Sequence, residues 1–258
     1  MKKAIFKFTF IILSALPGSL IAQTYKIDTS HIEFKDKFRP CLITEIDPEP
    51  DVVKEAWHNY LKDKYDIKLS GIGLFSNRDL LEAEEVLFKA ISPKRLSFYT
   101  KITETKSGSE MATFAALGYD IFIGPDNYPQ EFASIERIMD QFLYQYLDNY
   151  YDEEIKATSK KIKSLDNDKK DRLKEIEKNN KEIIEISQKI ASLNSTAKPN
   201  SDDAIEATEE LNEQSEDKLE LQKENNELTE EVKEIDEKLW LRKKKLERLK
   251  ARNKGLVN

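Results

Sequence analysis

"NSTAKPNSDD", Asn194 to Asp203, interrupts a long stretch that otherwise reads as unbroken helix. Its breakers decide the fold. Pro199 cannot continue a helix, and Ser201 or Asp202 can cap a new one. What matters is whether the helical runs on either side belong to each other.

Each run carries a heptad pattern. With Ile155 at position a, the first run places Ile155, Ile162, Lys169, Ile176, Ile183 and Ile190 at a, and Thr158, Leu165, Arg172, Asn179, Ile186 and Leu193 at d. With Leu211 at a, the second places Ala204, Leu211, Lys218, Asn225, Val232, Leu239 and Leu246 at a, and Ala207, Gln214, Leu221, Leu228, Ile235, Arg242 and Leu249 at d. Mostly apolar a and d positions specify a coiled-coil seam. Folding the chain back between Lys198 and Pro199 sets every a opposite a d. Ile190 then meets Ala207, Ile186 meets Leu211, Ile176 meets Leu221 and Leu165 meets Val232. Asn179 meets Lys218 and Arg172 meets Asn225, while the layers Ile183 with Gln214 and Lys169 with Leu228 stay mixed. Polar seam residues cost stability and fix register, so Arg172, Asn179, Lys218 and Asn225 are the register residues of this reading. Residues 148–254 are expected to form an antiparallel helical hairpin with arms of ~65–70 Å at ~1.5 Å per residue. Its tip is 194–203, where Thr196, Lys198, Pro199 and Asn200 are the candidate partner-binding residues.

The first helix begins differently. Phe132, Ile135, Ile138, Met139, Phe142, Leu143, Tyr146 and Tyr150 form an apolar stripe wider than a coiled-coil seam. Such a face packs on a sheet. One helix therefore serves as core at its start and as arm beyond.

The preceding residues, 23–147, read as a head domain. "PCLITEI" alternates as a strand. "DPEPDVVKEAWHNYLKDKY" has proline and acid start signals and apolar residues at helical spacing. "DIKLSGIGLF" reads as a strand, and "LLEAEEVLFKAI" as a strand in its second half. "RLSFYTKITET" and "EMATFAALGYDIFI" are strands split by the turn "KSGS". A helix starts near Gln130. The fold class is α+β: a small two-layer antiparallel-sheet domain followed by a long antiparallel helical hairpin.

Residues 1–22, "MKKAIFKFTFIILSALPGSLIA", have a positive start, a short apolar run and a break before Ala22, which is the order of a signal peptide. The chain is therefore expected in the periplasm or outside the cell, with no stable membrane insertion after cleavage. Net charge is −7, and Lys2, Lys3 and Lys7 leave with the leader, so the acidic remainder has no electrostatic footprint for nucleic acid. Cys41 is the only cysteine. It excludes an internal disulfide and reads as a small buried residue.

Chemistry finds little footing. His31 and His58 are the only histidines, and neither has Asp or Glu at metal-ligand spacing. Gly71-Ile72-Gly73 lacks the third glycine and following helix of a dinucleotide loop. No catalytic residue, cofactor or metal is expected. The basic end "RKKKLERLKARNK" falls beside Asp148, Asp152, Glu153 and Glu154 once the hairpin closes, which assigns it to zipping the base.

With "VVKEAWHNYLKDKY" in its head and heptads at its end, the layout resembles exported bacterial proteins that join a small α+β head to a terminal coiled coil. It is also similar to the periplasmic holdase chaperones of the Skp/OmpH type, which pair a small β body with long helical arms. That family is basic, shorter and different in strand order. The α-hairpin of efflux adaptor proteins is a further analogue, but there the hairpin is inserted within a domain. No functional residue carries over from any of them. The architecture implies a non-enzymatic scaffold, adaptor or spacer that binds protein partners through head and tip. The alternatives are a holdase whose arms expose Leu173, Ile184, Leu219, Trp240 and Leu241, with homo-oligomers among its forms, and a small-molecule or lipid carrier using the head sheet.

Overall fold

Alternating side chains first build a sheet. The structure, a computed structural model, describes residues 24–71, 79–196 and 202–256, and all of their side chains except those of Thr196 and residues 202–204. Strands β1 (Asp28–Phe34), β2 (Lys37–Ile46), β3 (Leu80–Val86), β4 (Leu96–Thr105) and β5 (Gly108–Ala116) form one antiparallel sheet in the order β1-β2-β5-β4-β3. Helix α1 (Pro50–Tyr65) follows β2, and the long helices α2 (Pro129–Thr196) and α3 (Asp202–Lys254) close the chain. The fold is the expected α+β head with a helical hairpin.

The strands depart from the sequence reading at four places. β1 was not anticipated. It pairs with β2 through a two-residue turn in which Lys35 and Asp36 both have positive φ, 51° and 59°. That is the geometry of a tight hairpin turn, reached here without glycine. In "LLEAEEVLFKAI" the first half is the strand, not the second. Leu81 and Ala83 point into the core, and a register shift between Ala83 and Val86, with Glu85 at φ 51°, precedes the last pair, Val86 with Leu96. Leu87–Ile91 instead turns back, with the Ile91 and Ser92 amides bonded to the Phe88 carbonyl. Within "DIKLSGIGLF", residues 66–71 contribute only an isolated bridge, Ser70 to Glu82, and the rest lies outside the described residues. "EMATFAALGYDIFI" stops being strand at Ala116, before a turn at Gly118–Asp120.

One sheet face packs on helices. Leu42, Leu81, Phe98, Ile102 and Met111 meet Val53, Trp57 and Leu61 of α1 and Ile135, Met139, Phe142 and Leu147 of α2. Trp57 lies 4.8 Å from Phe142 between ring centroids, and its Nε1 donates to Thr100 Oγ1 at 2.9 Å. The bond satisfies the indole while its ring fills the core. At the β4–β5 turn Gly108 has φ 153°, and a Cβ there would lie 2.2 Å from the Ile46 carbonyl oxygen, so no side chain fits.

α2 runs unbroken for 68 residues, ~100 Å at ~1.5 Å per residue. Its first turns are head core and its remainder is the arm. Burial along the arm repeats the heptad: every described a and d position of both helices is covered except Arg172. The register departs from the sequence reading by about one heptad. Asn225 Nδ2 donates to Asn180 Oδ1 at 3.0 Å rather than facing Arg172. Arg172 pairs with Glu231 at 2.7 Å, and Lys169 with Asp236 at 2.6 Å rather than Leu228. Asn179 is then level with Asn225 instead of Lys218, and Lys218 with Ile186. A one-heptad slip keeps every a opposite a d, so phase alone does not choose between the two registers. The observed one matches Asn179 with Asn225 and aligns Ile155 with Leu249, Leu165 with Leu239 and Ile183 with Leu221.

At the root, the basic end of α3 meets acids. Lys245 pairs with Glu154 at 2.6 Å, and Asn253 Nδ2 donates to Asp152 at 2.9 Å. Arg248 and Arg252 reach Asp47 of the β2–α1 connection at 3.3 and 3.5 Å. Thr24 Oγ1 donates to the Arg252 carbonyl, while Arg252 Nη1 donates to the Thr24 carbonyl at 3.2 Å.

Candidate binding cleft on the outer sheet face

The other sheet face carries no helix among the described residues. Along β5, Met111 and Ala115 point to the helices while Ala112 and Phe114 point away. β4 adds Tyr99, β2 adds Cys41 and Ile43, and β1 adds Ile32 and Phe34. The connection after β5 folds back over this face and brings Phe122 down onto it. The result is an aromatic floor. Phe34 lies 4.8 Å from Tyr99, 5.1 Å from Phe114 and 6.0 Å from Phe122, and Tyr99 stacks on Phe114 at 5.1 Å. Such spacings are those of favourable aromatic pairs.

Above the floor lies a cleft of about 730 Å³, between the 117–122 connection and the β3–β4 end of the sheet. Its rim is charged with both signs. Asp120 accepts from Lys37 Nζ at 2.7 Å and from Arg39, and these bonds hold its carboxyl below the usual range. The Arg39 guanidinium lies 4.2 Å from the Phe122 ring centroid, a cation–π contact, and its buried Nε has no partner among the described residues. Opposite, Arg95 Nη1 donates to the Glu85 carbonyl at 2.6 Å, and the Tyr99 hydroxyl reaches Glu84 at 3.5 Å. Burial, the largest cause, raises the Tyr99 phenol. Tyr119 stands fully exposed beside the cleft, held out by the turn whose Asp120 has φ 67°.

Neither a known protein family, nor a curated protein, nor a solved structure matches the chain. The site therefore has to be read from its own geometry.

The residues expected to carry function fall elsewhere. Thr196 ends α2, and Lys198, Pro199 and Asn200 lie outside the described residues. Arg172, Asn179, Lys218 and Asn225 sit along the hairpin seam, far from the cleft. Leu173, Ile184, Leu219, Trp240 and Leu241 are exposed on the arms. Cys41 is fully buried under the aromatic floor, and burial pushes its thiol up to about 11, with Glu110 adding to the effect. His31 is exposed on β1, and His58 is half-buried on α1. Among the described residues no three His, Cys, Asp or Glu converge as a metal cluster, and no helix is long and apolar enough to cross a membrane. The cleft itself escaped sequence reading. β5 is apolar on both faces, which signals a second buried surface. Assembling that surface requires β1 beside β2 and the 117–122 segment folded back, and neither was read correctly.

Proposed function

We propose that the protein is a non-enzymatic, exported scaffold or adaptor. Its head holds a segment of a protein partner in the outer-face cleft, and its hairpin sets that segment at a fixed distance from whatever engages the tip. The observation that carries this reading is the cleft's composition: an aromatic floor with Arg39, Arg95 and Tyr119 around it. Tyr and Arg dominate the energetics of protein interfaces, and a rim of mixed sign selects partners more than it strengthens binding. The cleft opens on the layer opposite α2, so an occupant does not collide with the arm.

The cleft volume also falls within the ~300–1,000 Å³ range of small-molecule sites, which gives the carrier reading a defined location. One experiment separates the two. A photo-crosslinking residue is placed at Tyr119, and a second at Lys198 on the tip, in living cells. One discrete protein adduct at Tyr119, weakened about tenfold or more by Phe122→Ala, supports the adaptor. No protein adduct, together with a bound apolar small molecule in the purified chain, supports the carrier and removes the adaptor reading.

A further inference from the structure

The two flanks of the hairpin differ. Cross-helix contacts define them: Asn180 with Asn225 and Lys169 with Asp236 lie on the side of the e positions, and Lys189 with Glu210 and Lys245 with Glu154 on the side of the g positions. On the g side of the distal half, α3 is a wall of acids: Glu213, Asp217, Glu220, Glu224, Glu227 and Glu231. On the e side the same half has almost no charge. Its one charged position is Glu177, and its other polar positions are Asn180, Ser187, Asn194, Thr208, Asn212, Ser215, Gln222, Asn226 and Thr229. Between them stand Leu173, Ile184, Ile205 and Leu219, exposed by 46, 56, 66 and 68%. In the observed register Ile184 and Leu219 are level with each other on neighbouring helices. A solvated coiled coil has no need of this asymmetry, since charged residues are the ordinary choice on both flanks.

We propose that this e-side flank binds the same flank of a second copy of the chain, with the two hairpins opposed and their heads at opposite ends. Three features select that occupant. A two-fold axis near Ile184 and Leu219 makes the surface self-complementary. It also turns both acidic walls outward, which suits a chain of net charge −7. The apolar half spans some 25 residues of two adjacent helices, ~38 Å by ~20 Å, or roughly 750 Å² per copy, close to the ~800 Å² of a standard interface. Orientation follows from the proximal part of the same flank, which is net basic: Lys156, Lys163, Lys170, Lys233, Lys243 and Lys250 against Asp166, Asp236 and Glu247. Parallel hairpins would set these lysines face to face. Opposed hairpins set Lys170 and Lys233 level with the other's tip and carry the rest of each set beyond it. The two hairpin roots then lie ~100 Å apart. This dimer does not depend on what the cleft binds.

The test is the mass of the purified full chain by light scattering across a wide concentration range, with small-angle scattering for shape. The expected result is a dimer whose largest dimension clearly exceeds that of one chain. Ile184→Glu with Leu219→Glu, both at exposed positions, should weaken it at least ~100-fold while helical content is unchanged. Leu241→Glu, an equally exposed leucine on the other flank, should leave it intact. A monomer at every concentration overturns the proposal. So does a dimer that survives the double variant, or one that Leu241→Glu splits equally. A dimer with its heads together overturns the orientation. Capture of assorted unfolded proteins by this flank, in place of self-association, would assign it to a holdase instead.

Discussion

Tyr151 is the residue on which head and hairpin meet. It is fully buried on α2, and its hydroxyl donates to Asp47 Oδ2 at 2.9 Å, the carboxylate that also receives Arg248 and Arg252. Burial raises its phenol, and the Asp47 charge adds to the rise. Tyr146 is pushed up to about 12 and Cys41 to about 11, again chiefly by burial. The sign is the same for all three. The folded protein keeps the proton, while the unfolded chain releases it near its ordinary value of ~8.5 for Cys and ~10 for Tyr. Stability is therefore full below those values and is lost as pH rises toward the folded-state values. Thermal melting should hold steady near neutrality and fall progressively from about pH 9 to pH 12. Tyr151→Phe should lower stability at neutral pH by ~1–3 kcal/mol, because a bond to a half-buried carboxylate is lost, and should make the alkaline decline shallower. An unchanged alkaline slope would show that Tyr151 does not titrate with folding. At this scale the sequence was partly legible. Cys41 as a small buried residue follows from its alternating strand. The junction at Tyr151 does not, because Asp47, Arg248 and Arg252 come from distant parts of the chain.

Elements were legible where their period is long and local. The heptads fix both arms and their antiparallel sense, and the burial pattern follows them position by position. Register is a different matter, since a slip by one heptad preserves every apolar match of phase. The choice rests on few side chains, above all Asn179, Asn180 and Asn225 near the middle of the seam. Strands were less legible because they are short. β1 is an edge strand with few apolar residues, turned by Lys35-Asp36 rather than by the Asn-Gly or Asp-Gly that signal tight hairpins. The basic end of α3 was read as zipping the root, and its contacts extend to Asp47 of the head. Arg248→Ala with Arg252→Ala should raise amide exchange about tenfold in the last turns of α3 and at the root of α2, leaving the distal arms protected. Exchange that rises along the whole hairpin, or nowhere, would remove this clip from the account.

At the scale of the molecule, head and hairpin are not separate bodies. α2 belongs to both, and Leu249 and Leu256 near the end of α3 join the same buried cluster as Trp57 and Phe142. A chain ending at Asn194 should therefore lose more than helix content. Its head, followed through Trp57, the one tryptophan then remaining, should melt at least ~10 °C lower than in the full chain. An unchanged head midpoint would make the hairpin an appendage. The meeting of Thr24 with Arg252 also has a consequence in time. The chain leaves the ribosome first end first, at ~5–20 residues per second, so roughly seven to thirty seconds separate completion of the sheet from arrival of the leucines that close its core. The head thus stays unfinished until synthesis is nearly over. The order in which the chain is made delays its own folding, and the last helix acts as the latch.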